Sequence, residues 1–366
     1  MRIATHREIL LEPLQKIVGA VERRQTKPIL GNVLIQTGGG TTELTATDLE
    51  IELVAELAVD VGEEGAVTVP ARKLLDICKA LPNGAQLSME TEGDQLRLRS
   101  GRSRFTLSTL PASDFPELKE PESVVEFEIG LDQLKTLLRH TAFAMAQQDV
   151  RYYLNGLLLE ITDGKLKTVA TDGHRLALYE LPGHLQIEGA HQVIIPRKGV
   201  LELLRLDHDG EVKVTIGLGS NHVFVNLPRL RFTSKLIDGR YPSYDRVIPK
   251  EAERFLRVNK EDFRQALLRT SILSNEKYRG VRLTIHTGAL TLEADNPEHE
   301  QAEEEIEASY EGGPLEIGFN VNYLLDIVSV LEGDELQIAL KDSNASALVS
   351  STESEAGQYV VMPMRL

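Results

Sequence analysis

The sequence predicts an α+β protein of three similar domains in tandem, each with two helices backed by antiparallel sheets. Three observations lead there. Ala46-Thr47-Asp48, Ala170-Thr171-Asp172 and Ala294-Asp295-Asn296 recur every 124 residues. Residues 31–35 (Gly-Asn-Val-Leu-Ile), 155–159 (Asn-Gly-Leu-Leu-Leu) and 279–283 (Arg-Gly-Val-Arg-Leu) keep that offset. Helical patterns fall at nearly the same spacing, with Leu10, Leu134 and Phe263 in a first helix and Leu74, Val200 and Leu324 in a second. Chance matches would scatter, and a repeat this long exceeds a solenoid unit, so each copy is its own domain. The domains are expected at 1–120, 126–247 and 250–366, joined by the Pro- and Glu-rich segment 117–125 and by 247–255.

A short strand opens each copy and leads into an amphipathic helix over 8–21, 132–143 and 261–272. In the first of these, Ile9, Leu10, Leu14, Ile17, Val18 and Val21 follow the 3.6-residue period. Strands of alternating polarity come next, such as 44–47 and 51–57. The second helix is expected over 71–81, 197–206 and 321–331. Further strands close the copy, and Phe105-Thr106 and Phe232-Thr233 mark equivalent late strands. Gly38-Gly39-Gly40, Asn83-Gly84 and Asp163-Gly164 are turn signals between strands. Each copy thus holds roughly eight strands.

A hydrophobic content of 42% with 26% charged residues belongs to a folded globular protein rather than a disordered one. No apolar run is long enough to span a bilayer, and the N-terminus lacks the apolar core of a signal peptide. Cys78 is the only cysteine, which excludes an intrachain disulfide and a cysteine-based zinc site and points to a reducing cytoplasm.

The net charge of −16 speaks against a nucleic-acid partner, but the charge is unevenly placed. The helical segments 7–24, 72–80, 132–140, 197–205, 260–269 and 320–331 hold 15 Lys and Arg against 9 Asp and Glu, while the remainder holds 25 against 47. If the helices share one surface, it is basic inside an acidic protein, and such a stripe tracks phosphates without reading sequence. The plainer reading is that these cations decorate solvated helix faces. The last segment, 320–331, carries no Lys or Arg, so its phosphate contacts should be weak. Separately, Arg97, Arg99, Arg102 and Arg104 crowd the end of copy one, and Glu298, Glu300, Glu303, Glu304, Glu305 and Glu307 crowd copy three. Opposite patches on non-equivalent domains fit a head-to-tail contact that closes into a ring. Two unrelated solvated patches are the alternative.

Residues 171–175 (Thr-Asp-Gly-His-Arg) form the most enzyme-like string. Asp172 and His174 could serve a hydrolase as a dyad, but no nucleophile motif accompanies them. Ala-Thr-Asp also recurs at 46–48 without the Gly-His-Arg, so Asp172 reads as a strand-end turn residue. The nine histidines lack ligand spacing, Gly217-Leu218-Gly219 lacks a dinucleotide-binding context, and no phosphate loop is present, so neither metal nor cofactor is expected. Arg151-Tyr152-Tyr153-Leu154 precedes a strand, where neighbours face opposite ways, so at most one tyrosine belongs to the core. An exposed Tyr beside Arg can stack on an unpaired base, whereas a half-buried pair on a sheet needs no ligand. The C-terminal residues 359–366 are mostly apolar where chains usually fray. Tyr359-Val360-Val361 makes a last strand. Met362-Pro363-Met364 either closes the core or lines a groove, a use to which adaptable Met side chains are well fitted.

Residues 28–32 (Pro-Ile-Leu-Gly-Asn), 100–105 (Ser-Gly-Arg-Ser-Arg-Phe), 148–156, 171–176, 272–277 (Ile-Leu-Ser-Asn-Glu-Lys) and 361–366 carry a resemblance that covers the whole chain. In these motifs and their order the chain resembles the β subunit of bacterial DNA polymerase III, the DNA sliding clamp. The resemblance implies three clamp-fold domains per chain and a head-to-tail homodimeric ring whose helices line a hole around double-stranded DNA. It implies a non-enzymatic processivity factor that holds DNA topologically and tethers the replicative polymerase subunit, the ATP-dependent clamp loader, and translesion and repair proteins. The implied partner-peptide pocket comprises Leu154, Thr171, Gly173, His174, Arg175, Leu176, Pro242, Arg246, Val247, Ser346, Val360, Met362, Pro363 and Met364. Asn344 stands where an apolar residue is common in the family. DNA contacts are implied at Arg24, Gln148, Tyr152 and Tyr153. The implied dimer interface sets Phe105 and Leu107 against Ile272 and Leu273, and Arg102 and Arg104 against Glu300, Glu303 and Glu304.

Overall fold

The computed structural model describes residues 1–21, 27–116, 118 and 123–365. Among them are six α-helices: α1 (Arg7–Ile17), α2 (Ala71–Ala80), α3 (Leu131–Ala142), α4 (Arg197–Arg205), α5 (Lys260–Ser271) and α6 (Val321–Val330). Each begins at the residue after a strand ends. The extended strand-end residue then doubles as the helix cap, and Asn259 and Asn320 use their side chains to accept from the first free N–H groups. The repeated anchors face inward throughout: Leu10, Leu134, Phe263, Leu74, Val200 and Leu324 are all at most 2% exposed. α1 stops at Ile17 instead of running to Val21. The backbone tightens into a 3-10 turn over Val18–Ala20, where Gly19 passes too close to the Glu202 carboxylate to carry a Cβ.

The chain packs as two compact units, residues 1–134 with 198–236 and residues 135–197 with 237–366, so the middle copy contributes to both. Unit one holds two antiparallel sheets. The smaller runs, in spatial order, Asp60–Glu63, Arg2–His6, Gln86–Glu92, Gln95–Ser100, Ser103–Ser108. The larger runs Ser123–Gly130, Lys213–Gly219, His222–Leu227, Leu230–Lys235, Ile51–Leu57, Thr41–Thr47, Asn32–Gly38, Gly65–Pro70. Unit two also holds two. Its nine-stranded sheet runs His191–Pro196, Gly156–Thr162, Lys165–Thr171, Arg175–Glu180, Gly357–Val361, Ala347–Ser351, Glu335–Leu340, Arg254–Asn259, Ser309–Tyr310. Its four-stranded sheet runs Gln301–Glu307, Ala289–Asp295, Gly280–His286, Leu315–Asn320.

The two larger sheets each cross from one sequence copy to the next. Leu230–Lys235 pairs with Ile51–Leu57, placing Phe232 opposite Leu53. Arg175–Glu180 pairs with Gly357–Val361, placing Leu176 opposite Val360. Main-chain hydrogen bonding at these junctions, rather than the sequence repeat, therefore decides which residues pack together. No helix is long and apolar enough to cross a membrane among the described residues.

In unit one, α1, α2 and α4 border a cavity of about 830 Å³ with Lys16, Arg72, Lys79, Lys198 and Arg205 on its walls beside Glu12, Asp76 and Glu202. Glu202 is 5% exposed and accepts from Arg205 Nη1 at 2.5 Å. Burial pushes its carboxyl above the ordinary carboxylate range, against the opposing pull of Arg205 and Lys198. A raised folded-state value means that stability is full below the unfolded value and declines as pH rises through the folded one. Glu202→Gln removes that decline. The variant should gain stability relative to the wild type as pH rises from about 4 to about 8, read from thermal melts at the two pH values.

Candidate peptide pocket and nucleic-acid loop

Strand Lys165–Thr171 turns into strand Arg175–Glu180 through a corner built by side chains. Thr171 Oγ1 donates to the Arg175 carbonyl at 2.6 Å and accepts from the Gly173 N–H at 3.1 Å. Asp172 Oδ1 accepts from the N–H groups of His174 (2.9 Å) and Arg175 (3.0 Å). The same corner stands one repeat earlier. Thr47 Oγ1 donates to the Ile51 carbonyl at 2.7 Å, and Asp48 Oδ1 accepts from Glu50 and Ile51, both at 2.9 Å. Asp172 is thus a turn residue, as the repeat indicated. Its second oxygen pairs with Arg175 Nε at 3.1 Å, so the carboxylate serves the corner and its own arginine.

The corner overhangs a buried apolar cluster. Leu154, Leu176 and Val360 join Leu158, Val169, Leu178, Ile194, Tyr241 and Tyr244, with Tyr153, Ile248 and Leu348 on its margin. The Tyr241 hydroxyl accepts from the Thr171 N–H at 3.0 Å and fixes the corner to this floor. Past Val361 the C-terminal tail is held at alternate residues. Met362 donates its N–H to the His174 carbonyl at 2.9 Å, and Met364 donates to the Gly318 carbonyl at 2.9 Å. Pro363, which has no N–H, falls between them. This leaves the Met362 side chain 47% exposed, with Pro363 and Met364 half-buried.

Arg246, Val247 and Ser346 line a cleft of about 530 Å³ together with Ile248, Pro249 and Ala345. Pro242 lines a second cleft of about 530 Å³ that shares Asp245 with the first. Asn344 stands outside this wall, in an exposed turn where its N–H donates to Asp342 Oδ1 at 2.8 Å. Gly173 and His174 are exposed on the corner, whereas the Arg175 side chain is only 11% exposed. An apolar floor, an adaptable methionine and a few placed polar groups make a surface for a short apolar peptide segment.

Residues 1–119, 128–243 and 245–365 match the N-terminal, central and C-terminal domains of the DNA polymerase III beta subunit. The chain belongs to the DNA polymerase III beta subunit family. It is 51% identical to the beta sliding clamp of Pseudomonas aeruginosa and 48% identical to that of Escherichia coli K12, each over the full length of both chains. The solved structure of the Pseudomonas aeruginosa clamp bound to griselimycin superposes with a TM-score of 0.96 over both full chains at 51% identity.

Of the DNA contacts implied by the family, Arg24 lies outside the described residues. The other three share one loop. Gln148 is left-handed (φ 55°), and Tyr152–Asn155 is a 3-10 turn rather than strand, so strand alternation does not orient the tyrosines. Tyr152 is 58% exposed, and Tyr153 meets it edge to face at 5.8 Å while packing on the apolar cluster. Asp149 organises the loop. It accepts from the Arg151 N–H (2.8 Å) and guanidinium (2.8 Å), and it exchanges two 2.9 Å bonds with Asn155. Hydrogen bonding from Arg151 holds its carboxyl at about 2.

The implied interface residues divide between the units. In unit one, Phe105 and Leu107 lie on the edge strand Ser103–Ser108, with Arg102 and Arg104 exposed. In unit two, Glu303 and Glu304 lie on the edge strand Gln301–Glu307, with Glu300 exposed before it. Glu304 is already held by Arg269 at 2.7 and 2.8 Å. Ile272, at the end of α5, is 75% exposed, and Leu273 is half-buried.

Gly173 carries φ +88°, and a Cβ there would lie 3.0 Å from the Arg151 guanidinium. Gly173→Ala should therefore cost about 1–2 kcal/mol, seen as a lower Tm. Gly39→Ala, at φ +60° with nothing within 4 Å, should show only the smaller cost of the backbone strain.

Proposed function

We propose that the chain is a cytoplasmic, non-enzymatic clamp that closes with a second copy, head to tail, into a ring around double-stranded DNA. Domains 1–120, 126–247 and 250–366 are its repeating units. The observation that carries this reading is a pairing rule inside the chain. The late strand of copy two (Leu230–Lys235) pairs with a middle strand of copy one (Ile51–Leu57). The late strand of copy three (Gly357–Val361) pairs with the equivalent middle strand of copy two (Arg175–Glu180). Two equivalents are left over, the late strand of copy one (Ser103–Ser108) and the middle strand of copy three (Gln301–Glu307), and both are sheet edges. A second copy supplies the missing junction twice, which closes a ring.

The charges support the same pairing. Arg99 stands directly opposite Arg104, and Glu293 directly opposite Glu303. Like charges facing each other across a strand pair are unfavourable, and each pair gains from the other sign on a partner. With the ring closed, the basic helices and the Gln148, Tyr152 and Tyr153 loop, together with Arg24, would meet DNA without reading its sequence. The pocket around Leu176, Val360 and Met362 would take short segments of the polymerase subunit, clamp loader, and translesion and repair proteins, and it would also take griselimycin, to which the Pseudomonas aeruginosa clamp is bound in its solved structure.

The deciding measurement is retention on nicked circular DNA after loading with a clamp loader and ATP. The protein should stay on closed circles and leave within the dead time once the circle is cut. Equal retention before and after cutting would mean ordinary binding. For the interface, Arg104→Glu should raise the dimer dissociation constant about tenfold at low salt. Adding Glu303→Arg should recover part of that loss in sedimentation, and no recovery would argue against this register.

A further inference from the structure

α6 is the helix that the basic-stripe reading leaves unexplained. Between Val321 and Val330 it has no Lys or Arg, and Asp326 is its single charged residue. The Asp326 carboxylate holds Arg175, accepting from Nη1 at 2.5 Å. The rest of that guanidinium is equally engaged. Nε donates to Asp172 at 3.1 Å, Nη2 donates to the Phe143 carbonyl at 2.7 Å, and the plane lies over Tyr323 (4.5 Å) and Phe143 (5.2 Å). One repeat earlier the equivalent position is Ile51, fully buried, so the corner itself does not require arginine.

The main chain of Arg175 does different work from its side chain. Its carbonyl accepts from Thr171 Oγ1, it pairs in register with Val361, and the adjacent His174 carbonyl accepts from Met362. The backbone at the rim of the pocket is thus fixed from behind by α6 and by the chain just past α3. A second fastening lies beside it. Tyr359, fully buried in the last strand, shares a 2.8 Å hydrogen bond with His140 Nδ1 on α3. His140 in turn stacks on Tyr179 at 4.2 Å and lies 3.5 Å from Glu332. Both strands that flank the pocket, Arg175–Glu180 and Gly357–Val361, are therefore held by side chains from the helical side.

We propose that α6 serves the peptide pocket rather than phosphates, and that Asp326, acting through Arg175, is a positioning residue for that pocket. This rests on the peptide-docking reading above. Asp326 touches no docked segment. It sets the position of the His174 carbonyl, and through it that of the Met362 main chain.

The test is Asp326→Asn in the full-length dimer, with griselimycin as the calorimetric probe and amide hydrogen exchange at Met362 as a readout that needs no ligand. Affinity should fall about twofold to thirtyfold, the range for a residue that couples through its neighbours. Met362 exchange should quicken, while dimer mass and the salt dependence of retention on DNA circles stay as in the wild type. Asp326→Glu should restore both affected readouts. If the asparagine variant unfolds, Tyr323→Leu, which removes the stacking on Arg175 and leaves Asp326 in place, should quicken Met362 exchange to a lesser degree. Unchanged Met362 exchange in a folded variant overturns the proposal. So does stronger retention on DNA in Asp326→Asn, which would make α6 a phosphate-facing helix. Wild-type protein that fails to bind griselimycin counts against the docking reading, and the Met362 exchange then still decides the role of Asp326.

Discussion

The structure depends on one constraint, that the exposed edge of an antiparallel sheet must find a partner strand. An unpaired edge presents a row of free N–H and C=O groups and invites association. The chain meets this twice internally, by hydrogen bonding the late strand of one copy to the middle strand of the copy before it. Those bonds make the larger sheets continuous across sequence copies and draw the middle copy into both compact units. The same rule leaves one late strand and one middle strand unmatched, and a second chain is the simplest source of both partners.

The paired junctions and the two open edges differ in chemistry. Where late and middle strands pair within the chain, the facing residues include apolar pairs such as Phe232 with Leu53 and Leu176 with Val360, and no pair of like charges. Where the edge is left open, the exposed face carries like charges, arginine on Ser103–Ser108 and glutamate on Gln301–Glu307. Two arginine edges repel, as do two glutamate edges, so self-pairing of the same edge is discouraged while head-to-tail pairing is not. The acidic excess of the chain and its local basic patches are thus compatible with one another. In the proposed ring, specificity would come from where the charges sit, and affinity from main-chain bonds and the exposed Ile272.

Much of the fold was legible because the repeat anchors are core residues. Leu10, Leu134 and Phe263 recur in the sequence for the reason that they are buried, since packing tolerates little change in size or polarity. The Thr-Asp corners were legible for a related reason, since a short polar side chain at a strand end bonds its own backbone. The turn at Tyr152 was not. It depends on reciprocal bonds between Asp149 and Asn155, a pairing without periodicity. Nor was the role of Asp326, whose partner is 151 residues away in sequence. Its isolation on an otherwise uncharged helix was visible, but only the folded chain shows what the charge meets.

The two internal junctions share a detail beyond their paired strands. Lys235 donates its N–H to the Glu50 carbonyl at 2.8 Å, just as Met362 donates to His174 at 2.9 Å, and Glu50 and His174 are equivalent residues of copies one and two. After Lys235 the chain goes on through Leu236 and Ile237, so the strand end at that junction is followed by more protein. After Met362 the chain runs to Met364, which donates its N–H to the Gly318 carbonyl at 2.9 Å. At the second junction Met362 is exposed, close to the apolar cluster that holds Leu176 and Val360. Arg175 in place of the equivalent Ile51 gives that junction a polar fastening to α6 that the first lacks. One pairing rule, applied twice, thus yields two junctions with equivalent main-chain bonds and different side-chain fastenings.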